Sequence, residues 1–235
     1  MIYRYFLMVT AMTMTALPAL AQTSVEQPAA PAAVPVPILA IQHVTLTTTM
    51  GAIVIALEVE RAPVSAANFL RYVDAHRFDG IGFYRALDLG RGYGLIQAGT
   101  KGLPAISFPP IAHEPTSQTG LSHVDGAISW ARLTPGSARG DFFIIIGNLA
   151  SLDAQDPALG GDPDGFAVFG RVVRGMDVVR AIMTLPTDPN AGEGVMRGQM
   201  IAAPPRIEHA ARSDPPAPEP PAPEPEPMPP PGHGG

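Results

Sequence analysis

Arg85 and Gln97 are the side chains of this sequence whose types and spacing suggest chemistry. Arg85 closes the apolar, aromatic run Gly82-Phe83-Tyr84-Arg85, and Gln97 lies in Gly94-Leu95-Ile96-Gln97-Ala98-Gly99. Both segments read as short strands, so a cation ends one apolar strand and an amide sits on the next. Burying a charge there is costly unless it has a partner or a task. Arginine stays protonated at any ordinary pH and presents a rigid planar fork of donors. Facing an apolar groove, that fork suits a substrate whose partial charge moves during reaction.

Other chemistries fail on the same sequence. There is no cysteine, which removes disulfides, thiolate catalysis and cysteine zinc sites together. Gly90-Arg91-Gly92-Tyr93-Gly94 leads into a strand and not a helix, so it does not fit a dinucleotide loop. Asp162-Pro163-Asp164-Gly165 lacks the later calcium ligands and reads as a turn. His113-Glu114 has no second histidine four residues on, which removes a zinc-protease motif. No cofactor and no metal are expected. The formal charge of -6 divides as +1 in residues 1–21, -1 in 22–37, -2 in 38–212 and -4 in 213–235. A central segment so near neutrality offers no electrostatic footprint for nucleic acid or an anionic membrane.

The elements that must position Arg85 and Gln97 fall within residues 38–212. Residues 1–21 read as a secretory signal, with Arg4, a short apolar stretch and the small-x-small site Ala19-Leu20-Ala21. That stretch is too short for a membrane span, and no other segment approaches spanning length. Residues 22–37 form a Pro/Ala-rich linker, and residues 213–235 a Pro/Glu-rich tail expected to remain disordered. Between them, alternating and β-branched runs predict strands over 43–49, 52–58, 82–85, 95–98, 127–131, 142–146, 166–173 and 206–211. Helices are predicted over 63–75, opened by Pro63 and Ser65, and over 176–184, opened by Gly175. Eight short strands with two separated helices point to a mainly-β domain, a closed eight-stranded antiparallel barrel capped by the helices.

In this frame the residues resemble the cyclophilin family of peptidyl-prolyl isomerases, in its exported bacterial branch. The resemblance covers residues 43–211. It rests on the order and spacing of Ala62-Pro63-Val64-Ser65-Ala66-Ala67-Asn68-Phe69, Phe83-Tyr84-Arg85, Ile96-Gln97-Ala98-Gly99, Gly126-Ala127-Ile128-Ser129-Trp130-Ala131-Arg132, Asp141-Phe142-Phe143-Ile144 and Phe166-Ala167-Val168-Phe169-Gly170 before Gly175-Met176-Asp177. The chemistry it implies is rotation about the peptide bond before proline, whose barrier is roughly 18–20 kcal/mol while its cis and trans forms lie within about 1 kcal/mol. As the amide twists, the prolyl nitrogen gains a lone pair that a fixed guanidinium can address. By resemblance Arg85 is that group and Gln97 orients it. Phe143, Leu95 and Leu152 would line the proline pocket, and Ala131 and the Arg132 backbone would dock the residue before proline. Phe142 and Phe143 must point to opposite faces of one strand; the resemblance assigns Phe143 to the groove and Phe142 to the interior.

The chain departs from the family pattern at several points. Tyr84 stands where histidine is usual, and Asp141 replaces the usual glutamine, adding a carboxylate close to Arg85. An ion pair there would either tie up the guanidinium or orient it. The loop 86–94 is longer than expected and no phenylalanine precedes Leu95, a gap in the wall that Tyr93 could fill. Ser151 and Phe166 replace an aromatic and a histidine or tyrosine. The expected function is a monomeric isomerase, periplasmic or alternatively secreted, acting on proline-containing unfolded or extended polypeptides during folding of exported proteins. The alternative is a proline-peptide binding or chaperone module with weak turnover. The proline-rich tail reads as a spacer or as a ligand for a partner's aromatic groove.

Overall fold

The computed structural model describes residues 41–217. The expected signal sequence, the linker and the tail beyond residue 217 lie outside the described residues. The alternating segment 41–58 folds as the hairpin β1 (Ile41–Thr48) and β2 (Gly51–Glu58). Helix α1 (Pro63–Asp74) follows, then β3 (Phe83–Gly90) and β4 (Tyr93–Gly99). A single-turn helix α2 (Thr116–Thr119) precedes β5 (Ala127–Trp130) and β6 (Asp141–Ile146). After β7 (Ala167–Arg174) and α3 (Met176–Met183) come two-residue strands β8 (Thr187–Asp188) and β9 (Met200–Ile201), and then β10 (Ile207–Ser213). All eight expected strand segments and both expected helices form. The strand expected to end at residue 211 runs on through Ser213, where Thr45 Oγ1 donates to Ser213 Oγ at 2.9 Å.

The strands make one antiparallel sheet in the order β10-β1-β2-β7-β5-β6-β4-β3-β9-β8. This corrects the expected closed eight-stranded barrel, since the sheet has ten strands and its order does not close. Two features explain the difference. The outer edge of β3 is taken by β9, which sets Met200 opposite Arg85. At the other end of β3, Gly82 meets Arg206 in one isolated bridge. Pro204 and Pro205, just before it, have no N–H to extend that bridge into a ladder.

The interior face carries the apolar residues of the alternating pattern, among them Leu46, Ile55, Phe83, Ile96, Phe142 and Phe169, all fully buried. Helices α1 and α3 add Phe69, Tyr72, Val179 and Ile182 to this core. Trp130 stacks on Phe169 at 4.8 Å, and Phe69 meets Phe142 edge-on at 5.4 Å. Each such side chain stabilises the fold by roughly 1.5–3 kcal/mol through burial.

The stretch read as a long loop, 86–94, is instead the arm of a hairpin. β3 continues to Gly90, and Arg91 (φ 55°) with Gly92 (φ 78°) forms the two-residue turn into β4. Positive φ at both central residues suits the twist of a tight hairpin. Gly94, where an aromatic was missed before Leu95, faces inward. A Cβ there would lie 2.2 Å from the Leu87 carbonyl oxygen and 2.7 Å from Met183 Sδ, so no side chain fits.

Helix α1 begins with Pro63 and has no side-chain cap from Ala62. Its free amides are met from a distance: the buried Glu114 accepts from Val64 N at 3.0 Å and from Ser65 N at 2.8 Å. This gives the His113-Glu114 pair a structural task. The Ser65 hydroxyl is buried without a partner among the described residues. In urea unfolding, Glu114→Ala is expected to cost about 1–3 kcal/mol, the range for leaving buried donors unpaired. Ser65→Ala is expected to be neutral or stabilising. An undiminished midpoint for Glu114→Ala would show that water replaces the cap.

Candidate active site

Alternation along β3 is broken at Arg85, and that break creates the site. Phe83 pairs with Ala98 and Arg85 with Gln97, leaving Tyr84 as an extra residue in a β-bulge. Phe83 and Ala86 both reach the interior although three residues apart, which regular alternation forbids. Tyr84 and Arg85 are consequently turned to the same outer face. Arg85, Gln97, Phe143 and Ser129 then lie in one row across β3, β4, β6 and β5.

The guanidinium is held by two neutral amides. Arg85 Nη1 donates to Gln97 Oε1 at 2.9 Å, and Nε donates to Gln199 Oε1 at 2.8 Å. Gln199 is itself fixed by donating to the Val195 carbonyl at 2.6 Å. Among the described residues Arg85 has no carboxylate partner, and Nη2 makes no bond to the protein. Burial lowers the Arg85 pKa from its ordinary value, but the group stays charged.

Asp141 does not pair with Arg85, which corrects the ion pair considered from sequence. Gln97 Nε2 donates to Tyr84 Oη at 2.7 Å, and Tyr84 Oη donates to Asp141 Oδ1 at 3.0 Å. Asp141 also accepts from Lys101 N at 2.8 Å and Gly102 N at 3.3 Å. Room for this exists because residue 99 is glycine: a Cβ there would sit 2.6 Å from Asp141 Oδ1. Burial raises the Asp141 carboxyl pKa, with the Lys101 N–H opposing. Burial also raises the Tyr84 hydroxyl, with Asp141 adding to the shift, so Tyr84 remains a neutral relay.

Beside this polar chain lies a second apolar cluster on the outer face, separate from the interior core. Phe143, Leu95, Ile145, Ala127 and Val168 form its centre, with Ala131, Leu152 and Phe166 packed against it. Phe142 is in the interior and Phe143 in this outer cluster, as their shared strand requires. Phe166 meets Phe143 edge-on at 5.4 Å, and the imidazole of His123 stacks on it at 5.9 Å with planes 12° apart. His123 is fully buried: Nδ1 lies 2.5 Å from Asp153 Oδ1 and Nε2 lies 3.1 Å from Ser129 Oγ. Of two surface concavities, one lies beside Leu70 and Arg212 and the other beside Met183 and the far side of the site at Gln199, and neither includes Gln97 or Phe143.

Residues 43–208 match the model of the cyclophilin-type peptidyl-prolyl cis-trans isomerase/CLD family. The chain belongs to the cyclophilin family. A similar protein is peptidyl-prolyl cis-trans isomerase A of Dickeya dadantii (strain 3937), 36% identical over 151 residues, 62% of this chain and 73% of that one. Another is a peptidyl-prolyl cis-trans isomerase of Acinetobacter baylyi, 35% identical over 153 residues, 63% of this chain and 76% of that one. In fold it is similar to a cyclophilin-type isomerase of Cryptosporidium parvum, with TM-score 0.60, 17% identity, and 75% and 100% of the two chains covered. That protein in the presence of the dipeptide Ala-Pro gives a TM-score of 0.58 at 18% identity, over 74% and 99% of the chains.

Against this cyclophilin frame the expected residues separate into two groups. Arg85, Gln97, Leu95, Phe143, Ala131, Leu152 and Phe166 share the outer face around one row. Tyr93, 42% exposed, stands on the hairpin arm over Gly147, two residues before Leu95 on the same strand and outside the buried cluster around Phe143. Arg132 is anchored by its side chain. Its Nε donates to the Gly165 carbonyl at 2.7 Å, Nη2 pairs with Asp162 at 2.8 Å, and the guanidinium lies over Phe166 at 5.0 Å. Gln199 and His123 were missed from sequence, and Tyr84 was noted only as a departure from the family pattern. Only Tyr84 left a signal, the three-residue spacing between apolar Phe83 and Ala86.

Burial lowers the His123 pKa and outweighs Asp153, which opposes it. The unfolded chain takes up a proton near the ordinary value of 6.5 while the folded chain does not. Stability carried by neutral His123 is therefore complete above that pH and is lost as pH falls below it. Asp141, with a raised pKa, contributes with the opposite sign at lower pH. Urea midpoints measured across this window should show a steeper acid decline for the wild type than for His123→Gln. Parallel curves would overturn the assignment.

Proposed function

We propose that this chain accelerates cis–trans rotation of X–Pro peptide bonds, with Arg85 as the catalytic residue. The observation that carries this reading is the Arg85 guanidinium, held by Gln97 and Gln199 with Nη2 unbonded, beside the apolar cluster of Phe143. The relatives named isomerases and the fold neighbour solved in the presence of Ala-Pro support it. A proline ring seated against Phe143, Leu95 and Leu152 would bring its amide nitrogen toward the free N–H groups of Arg85. Twisting the amide ends its conjugation and gives that nitrogen a lone pair, which the guanidinium stabilises more than it stabilises either planar form. No bond breaks, so no nucleophile or cofactor is required. Among the described residues no protein group bonds the Arg132 N–H or carbonyl, which leaves both for an extended substrate backbone.

The signal-like residues 1–21 support a periplasmic setting, in which the enzyme acts as a monomer on unfolded or extended exported polypeptides. The Pro-rich tail would serve as a spacer or as a ligand for a partner's aromatic groove. The reading as a weakly catalytic binding module loses one support, because Asp141 does not neutralise Arg85.

In a protease-coupled assay on an X-Pro peptide, Arg85→Ala is expected to lower kcat/KM by about a hundredfold or more, as for loss of a preorganised donor in other enzymes. Gln199→Ala should lower kcat more than it raises KM, because Gln199 aims Arg85 and does not bind substrate. Activity unchanged in Arg85→Ala would overturn the mechanism. Peptide binding without faster exchange between cis and trans forms would support the binding module instead.

A further inference from the structure

Away from the groove, three side chains from separate parts of the chain converge at the end of α1. His76 follows the helix, Asp79 lies in the next turn, and His209 comes from β10. His76 Nδ1 is 3.2 Å and His209 Nδ1 3.1 Å from the same oxygen, Asp79 Oδ2. The three ligand atoms lie within 4.8 Å of one another, and the two imidazoles stack at 5.6 Å with planes 19° apart. The other carboxylate oxygen is held in place by the Ala210 N–H at 2.9 Å.

The backbone also marks His76. It occupies the position just beyond the helix cap at φ 52°, with His76 N bonded to the Val73 carbonyl and Arg77 N to the Tyr72 carbonyl. Glycine is the usual occupant of this left-handed position, and a residue with a Cβ is disfavoured there. A histidine at this place directs an imidazole at Asp79 where the cheaper residue would have none. Such strain is a reason to look for function.

We propose that His76, Asp79 and His209 form a binding site for one divalent first-row transition metal ion, of the zinc or nickel class. Two imidazoles and one carboxylate are the donor set such ions favour, and water would complete the coordination. Metal–ligand distances near 2.1 Å in tetrahedral geometry place ligand atoms about 3.4 Å apart. The observed 3.1 and 3.2 Å to Asp79 lie within a few tenths of that spacing, and the two imidazole nitrogens, within 4.8 Å of each other, adjust to the same spacing when an ion binds. Side-chain exposures of 65% for His76, 53% for His209 and 28% for Asp79 leave an open path from solvent. A bound ion would clasp β10, the last strand of the sheet, to the end of α1, and would raise stability by mass action.

The test is calorimetric titration of the chelator-treated full chain with Zn²⁺ and Ni²⁺, alongside thermal melting with and without metal. One equivalent is expected to bind with a rise in Tm. His76→Asn, which keeps a residue tolerant of positive φ, and His209→Gln should each weaken binding about tenfold or more, and His113→Gln should not. Each variant's metal-free melting temperature reports its fold, and either variant alone suffices. Absence of saturable binding would overturn the proposal, as would binding that both variants leave intact, for instance an ion held by the tail histidine His233. A Tm that does not respond to bound metal would overturn the clasp.

Discussion

A guanidinium held by amides and not by a carboxylate is the arrangement on which the site depends. A direct ion pair would neutralise Arg85 and compete with any ligand for its donors. Here Gln97 and Gln199 accept from it while its charge stays uncompensated at short range. The nearest anion along the bonded chain, Asp141, is reached only through Gln97 and Tyr84, with every donor pointing the same way from Arg85. Such a chain fixes the orientation of the Gln97 amide, since its oxygen must face Arg85 and its nitrogen Tyr84. Hydrogen bonds in series also polarise one another. The side chains are thereby placed without quenching the charge.

The apolar side of the groove is fixed by a different device. Phe143 belongs to a small buried cluster outside the main core that holds Phe142. It is braced by Phe166 at its edge and by His123 against its face, and His123 is in turn held between Asp153 and Ser129. A buried polar network supports an aromatic floor at the price of acid sensitivity. Interior packing, outer cluster and polar chain meet along strands β4 and β6, whose two faces serve the core and the groove.

Much of the fold was legible because its strands alternate apolar and polar residues, and because Pro63, Gly175 and the apolar spacing mark the two main helices. What misled was connectivity at the edges. Closure requires donors on the edge that faces the neighbouring strand, and Pro204-Pro205 supplies none just where β3 and β10 meet. The arm 86–94 reads as a loop because Arg91-Gly92 carries none of the commoner hairpin-turn pairs, although both residues adopt positive φ. In the site, Arg85, Gln97 and Phe143 could be singled out by charge, amide and position within motifs. Tyr84 was noted only as a departure from the family's histidine, since regular alternation gives no sign that it shares a face with Arg85, and Asp141 was placed near Arg85 by its place in the family pattern, which says nothing about which group it bonds.

By itself the sequence determined the residue types, the strand and helix segments, the family resemblance and the absence of thiol chemistry. These depend on composition and on periods of two and 3.6, which are local. The tertiary structure alone decided that a bulge turns Tyr84 and Arg85 to one face, that Gln199 arrives beside Arg85 from more than a hundred residues away, and that His76, Asp79 and His209 share one oxygen. Those outcomes depend on hydrogen-bond register and on loops returning to distant strands, and neither leaves a repeating pattern in a single sequence.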